Sequence, residues 1–233
     1  MATITRSVDA EVAWQPGRGL ALFDLDRTLV PGSSLLELAR AWTASGHSSA
    51  TRMAGAVALN AVFARRGIGV RRSEQVRDAA LAEVAGYPVE AMTELAHAVG
   101  ERVAAGAFPA ATWLVGRHRA AGDVCVVLSA SPHELVAVVA AALGAHHGVG
   151  TRGEVHDGLY TGRLDGAFCH GAGKLARLEA DLGQLDLGDA TAYGDSLSDL
   201  PVLRACRHPV AVNPDRRLRG VAEAEGWPIL RFG

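Results

Sequence analysis

Asp24 and Asp26, in the run Leu20-Ala21-Leu22-Phe23-Asp24-Leu25-Asp26-Arg27-Thr28-Leu29, carry the most specific chemistry offered by this chain. They close an apolar stretch, and side chains two residues apart leave a strand on the same face. A buried parallel strand reads as an unbroken apolar run, and α/β sheets bind ligands beyond the carboxyl ends of such strands. Two acids held there without an obvious cationic partner repel one another, so the pair calls for a metal ion. One carboxylate can then attack as a nucleophile while the other serves as acid and base. The plainer alternative is a strand end bearing two solvated acids.

Three further polar groups occupy similar places. Val124-Cys125-Val126-Val127-Leu128 is a second apolar run, and it ends in Ser129-Ala130-Ser131-Pro132-His133. Gly171-Ala172-Gly173-Lys174 opens a segment with helical spacing at Leu175, Leu178 and Leu182. Ala190-Thr191-Ala192-Tyr193 leads into Gly194-Asp195-Ser196-Leu197-Ser198-Asp199. Each follows a strand or opens a helix, where a parallel sheet gathers its ligand groups. A strand-terminal Ser or a Gly-Asp pair is common by itself. In this order and these contexts, the four motifs resemble those of the haloacid dehalogenase superfamily of phosphohydrolases, from Gly19 to about Phe232. The motifs that carry the resemblance are Asp24-x-Asp26-x-Thr28, Ser129, Lys174 and Gly194-Asp195-x-x-x-Asp199.

The resemblance implies a phosphomonoester hydrolase that works through an aspartyl-phosphate. A phosphomonoester carries about two negative charges near neutral pH, so a carboxylate approaches it only if charge is offset. Mg²⁺, a hard cation that bridges carboxylates and phosphate, suits that task. Asp24 would be nucleophile and metal ligand. Asp195 would complete the carboxylate set, Asp199 would ligate more weakly or through water, and the main-chain carbonyl of Asp26 would also reach the metal. Lys174 would balance charge on Asp24 and the phosphoryl oxygens, and Ser129 would donate a hydrogen bond to them. Asp26 would protonate the leaving alcohol and then activate water. Thr28 would hold Asp26 and, with Ser129 and Lys174, belong to the phosphate site. The family's dehalogenases lack the second Asp, which favours phosphoryl transfer here.

Departures narrow the substrate. The phosphoserine-phosphatase-like branch (subclass IB) carries a Glu soon after the first motif to read an amino group, and this chain has Ser33 there. Ser198 stands for the usual Asn, and Arg27 for a Gly or Ser. A small phosphorylated metabolite other than phosphoserine is expected. A phosphotransferase or mutase sharing the intermediate, and a non-catalytic phosphate-binding scaffold, are the rival readings.

These groups must be positioned by an α/β framework. The chain has 233 residues, 49% of them hydrophobic but only 5% aromatic, so Ala, Val and Leu fill the core. Alternating strand and helix signals predict a doubly wound parallel sheet, a Rossmann-like core. Its segments are residues 16–32 and 110–233, with an all-helical insertion at 33–109 resembling the superfamily's C1 cap. Within the insertion, helices are expected from Leu35, with Ser33 or Ser34 as cap, and over 50–65, 73–85 and 88–105. Core helices are expected over 113–121, 133–143, from Ser198 and over 213–225, with a late strand at 210–212. Gly158–Gly162 predicts a turn or hairpin, and Trp227–Leu230 an edge element.

Several features read as ordinary structure. A net charge of −2 gives no support for nucleic-acid binding. Cys125, Cys169 and Cys206 form no zinc-like cluster, and Cys125 falls in a core strand. His146-His147 reads as surface imidazole. Arg65-Arg66 and Arg71-Arg72 read as a solvated basic loop, and the apolar helix 53–63 as packing surface. Residues 1–19 hold no signal-peptide core and 135–145 is too short to cross a bilayer, so no stable membrane insertion and a cytoplasmic location are expected. No oligomeric state follows from the sequence.

Overall fold

The computed structural model describes residues 19–46 and 70–232, excluding the side chains of 70–72. The expected helix over 50–65, its apolar face at 53–63, Arg65-Arg66 and residues 1–18 lie outside the described residues, as do the side chains of Arg71 and Arg72.

Seven strands form one sheet: β1 (Leu20–Asp24), β2 (Val124–Pro132), β3 (His147–His156), β4 (Leu159–Asp165), β5 (Thr191–Gly194), β6 (His208–Val212) and β7 (Ile229–Leu230). Their spatial order is β4-β3-β2-β1-β5-β6-β7. All neighbouring pairs are parallel except β3 with β4. The fold is therefore the expected Rossmann-like α/β sheet, extended by an antiparallel edge.

The unbroken apolar runs at β1 and β2 have a direct cause. Ala21, Phe23, Cys125 and Val127 enter one buried cluster, while Leu20, Leu22, Val124, Val126 and Leu128 enter a second. Alternate side chains point to opposite faces, and helices cover both. Each large aliphatic or aromatic residue buried this way contributes about 1.5–3 kcal/mol.

Among the described residues the helices are α1 (Ser34–Ala44), α2 (Val70–Glu83), α3 (Val89–Ala105), α4 (Pro109–Ala120), α5 (His133–Ala142), α6 (Gly173–Leu182), α7 (Leu200–Ala205) and α8 (Arg216–Glu225). Ser33 caps α1 by accepting from the Leu36 N–H. Asp215 caps α8 by accepting from Arg217 and Leu218. Helices α1, α2 and α3 fall between β1 and α4 in the chain. Leu38 and Trp42 of α1, and Met92, Ala96, Val99 and Val103 of α3, share one apolar cluster with Phe23 and Leu135.

Strand β3 departs from the sequence reading, which had no strand at this place. Its glycines look like turn signals but serve a close approach. A Cβ on Gly150 would lie 2.6 Å from the Cα of His133 and 2.7 Å from the Ser131 carbonyl oxygen. The expected hairpin turns at Asp157-Gly158, both with positive φ, as a tight antiparallel reversal requires. His146 is likewise structural, since its Nδ1 accepts from the Cys125 N–H at 2.9 Å. The three cysteines are free and buried, and burial pushes each thiol up to about 12. Among the described residues no helix is long and apolar enough to cross a membrane.

Candidate active site

Strand register brings the motifs together. β1 runs between β2 and β5, with Asp24 beside Leu128 and Phe23 beside Tyr193. Ser129 and Gly194-Asp195 therefore lie next to Asp24 toward the carboxyl ends of the central strands. The chain leaves β1 toward β2 and β3, then returns to the other side at β5, which makes this the topological switch point. The rings of Phe23 and Tyr193 stack in parallel on these neighbouring strands, 4.9 Å between centroids.

Asp24 is held at both oxygens. Oδ1 accepts from Lys174 Nζ at 2.7 Å, and Oδ2 accepts from the Thr28 hydroxyl at 2.9 Å. Thr28 thus orients Asp24, not Asp26 as expected. The four-residue loop back to the strand end brings the hydroxyl to the first carboxylate. Asp26 is fixed differently, with Oδ1 accepting from the Ser34 N–H at 2.7 Å. Ser34 is the first residue of α1, where backbone N–H groups have no intrahelical partner and favour an anion. The Ser34 hydroxyl also bonds to that of Ser131 at 2.7 Å. Ser129 is buried and accepts from the Ser131 N–H at 3.1 Å.

Lys174 also contacts Asp199 Oδ1 at 2.6 Å. The other Asp199 oxygen accepts from the N–H groups of Asp195 and Ser196, each at 3.1 Å. Asp199 is thus an organiser of the Gly194–Asp199 loop. Gly194 is required by that contact, since an added Cβ would lie 2.5 Å from the Asp199 Cβ. Asp195 pairs with Arg27 Nη2 at 2.7 Å. Arg27 has a φ of 67°, a left-handed conformation that non-glycine residues seldom adopt.

Asp24, Asp195 and Asp199 each present an oxygen within 4.8 Å of the others and can hold a metal ion. The Asp26 carboxylate is not in this set. Burial, then the neighbouring carboxylates, pushes Asp24 up to about 7 and Asp195 up to about 9. Burial also raises Asp26, against the pull of Ser34. For Lys174 burial acts downward, but Asp199 and Asp24 outweigh it and hold the ammonium above its usual range. Four acids gathered around two cations remain short of positive charge. An all-oxygen donor set with that deficit fits a hard divalent cation.

The lysine loop gives a structural prediction. A Cβ on Gly173 would clash with the Phe168 carbonyl oxygen, so Gly173→Ala must displace the loop bearing Lys174. Stability is expected to fall by about 1–3 kcal/mol, as for other overpacked sites. A thermal melt would register a drop of several degrees, with turnover falling alongside it. An unchanged melt and turnover would show that the loop accommodates a side chain.

The sequence model of the haloacid dehalogenase-like hydrolases matches residues 21–204. The chain belongs to this family. A probable phosphatase of Mycobacterium tuberculosis is 35% identical over 219 residues, covering 92% of this chain and 76% of that protein. A protein named phosphoserine phosphatase from the same organism is 36% identical over 218 residues, covering 91% and 70% respectively. A solved protein of unknown function from Bordetella pertussis superposes with a TM-score of 0.79 at 31% identity, covering 91% of this chain and 98% of that one. With relatives of this kind along nearly its whole length, the family member described here is an enzyme of the phosphoric monoester hydrolase class.

Two residues of this family site escaped the sequence reading. The Ser34 amide had a signal, because a helix start placed just after an acidic motif offers free donors. The Arg27–Asp195 pair had none, since the partners lie far apart in the chain. Ser131 borders a cavity beside Asp26. The Nδ1 of His133 lies 4.0 Å from Asp181, which Arg152 and Arg177 hold, and makes no hydrogen bond among the described residues, while burial holds the imidazole below its usual range and so disfavours its charge.

Proposed function

We propose that this hydrolase is a cytoplasmic, Mg²⁺-dependent phosphatase of a small phosphorylated metabolite, acting through an aspartyl-phosphate on Asp24. The observation that carries the reading is the placement of Asp24. Its carboxylate is clamped between Lys174 and Thr28, and Asp26, fixed by Ser34, stands two residues further on.

In this reading an Asp24 oxygen attacks phosphorus, the bond to the leaving oxygen breaks, and Asp26 gives that oxygen its proton. Asp26 then takes a proton from water, whose oxygen attacks phosphorus and frees Asp24 and inorganic phosphate. Lys174 offsets charge on Asp24 and the phosphoryl group, and Ser129 donates to a phosphoryl oxygen. Thr28 orients the nucleophile beside that phosphate. Asp24, Asp195, Asp199 and the Asp26 carbonyl would hold Mg²⁺, which when bound would supply charge compensation for the carboxylates and phosphate. Residues 33–109 act as a cap that excludes water from the strand ends, and residues 16–32 and 110–233 form the core.

Phosphate release from a panel of small phosphomonoesters tests this reading. Excess chelator is expected to reduce release to background, Mg²⁺ to restore it, and Ca²⁺ to restore it poorly. Ca²⁺ prefers more ligands at longer distances and would misalign Asp24 with phosphorus. Full activity in excess chelator would overturn the metal assignment.

A further inference from the structure

Beside Asp26 opens a cavity of about 460 Å³, bounded by α1, α2, α3 and the strand ends of β2 and β3. Asp26 and Ser131 line it, whereas Asp24, Lys174, Asp195 and Asp199 do not. A phosphoryl group in contact with Asp24 therefore directs its leaving oxygen to Asp26 and its organic part into this space.

Among the described residues the exposed wall surface is predominantly apolar. Leu36, Leu38, Trp42, Val76, Met92 and Phe168 line it. Polar groups on the wall are largely engaged with protein partners. The Glu134 carboxylate accepts from the Tyr160 hydroxyl at 2.7 Å, and Arg77 pairs with Asp78 while lying over the Phe168 ring. Ser33, also on the lining, has its hydroxyl accepting from the Leu36 amide. Among the described residues, and apart from Asp26, Glu83 is the remaining carboxylate of the lining, half-buried near the end of α2. A volume in this range holds a drug-sized group. A three-carbon amino acid would leave most of the apolar wall in contact with water.

We infer that the substrate is a phosphomonoester of a bulky, uncharged, predominantly apolar alcohol, whose hydrocarbon part fills the cavity beside Asp26. The direction of that group rests on the phosphatase reading above. Occupancy of the cavity is measurable without turnover.

The test pairs binding with hydrolysis on the full chain in Mg²⁺. Linear alkylphosphonates, whose carbon–phosphorus bond resists hydrolysis, are titrated calorimetrically from methyl to hexyl. Each methylene buried in an apolar wall is worth about fourfold in affinity, so the series is expected to gain about 100-fold or more. The binding heat capacity should become more negative along it. Alkyl phosphates of the same lengths should follow the trend in kcat/KM, with hexyl phosphate exceeding O-phosphoserine by at least about tenfold.

Filling the cavity supplies a second measurement. Ala39→Phe on α1, or Ala80→Leu on α2 from another wall, should lower the hexyl-to-methyl affinity ratio by about tenfold. Affinity independent of chain length, a ratio unmoved in both folded variants, or a preference for O-phosphoserine over hexyl phosphate would overturn the inference. Chain-length-dependent phosphonate binding with no phosphate release from any ester would support the cavity assignment and defeat the phosphatase reading instead.

Discussion

Asp24→Asn is expected to abolish phosphate release, with turnover at least about 10³-fold below the native enzyme, as when a covalent route is lost. The amide keeps the shape of the carboxylate. Its oxygen still accepts a hydrogen bond from Lys174 or Thr28, the two groups now 2.7 and 2.9 Å from Asp24. What disappears is the attacking anion and one metal ligand. Folding should survive, because burial and the adjacent acids already push Asp24 up to about 7 and disfavour its charge. The thermal midpoint without metal is therefore expected to match or exceed that of the native chain. Retention of more than about a tenth of native turnover would defeat the nucleophile assignment, whatever the melt shows.

The legibility of this site in the sequence depended on how locally each contact is determined. β1 and β2 were readable because a strand covered on both faces needs apolar side chains at every position, and polar residues then mark its end. Asp24 and Asp26 follow at once from the end of β1, and Ser129 from the end of the apolar run in β2, although that strand continues to Pro132. Lys174 and Asp195 were readable as helix-opening and strand-ending groups. β3 was hidden by its own packing, since Gly148, Gly150 and Gly153 admit neighbouring groups that a Cβ would meet at 2.5–2.9 Å. The same residue type marks turns elsewhere, so spacing alone did not separate the two uses.

Within the site, the less legible contacts were those between side chains with more than one eligible partner. Thr28 follows both acids closely, and only the path of the loop sends its hydroxyl to Asp24. Asp26 then needed another anchor. The chain supplies it by starting α1 over the carboxylate, so that the Ser34 N–H serves an acid in place of a helical carbonyl. Arg27 answers a similar need across the sheet. Four acids share Lys174 and Arg27, and the ion pair of Arg27 with Asp195 keeps a second cation at the cluster even though the residue adopts a left-handed backbone.

Asp26→Asn separates the second acid from the first. The amide can still accept from the Ser34 N–H, so the loop and the helix start should keep their geometry. It has no carboxyl proton to give and no basic oxygen to take one. For alkyl phosphates the leaving alkoxide needs that proton, and hydrolysis is expected to fall by about 10²–10⁴-fold. An activated aryl phosphate expels its oxide with little protonation, so formation of the aspartyl-phosphate should be far less affected. Its breakdown still needs water activated by the missing base. The variant is therefore expected to give a burst of aryl product, then to stall with phosphate on Asp24. Rapid-quench measurement of the burst, together with acid-trapped acyl-phosphate, checks both steps. Asp24→Asn should give neither signal. Equal losses on alkyl and aryl substrates, with no accumulated acyl-phosphate, would remove Asp26 from the proton-transfer role.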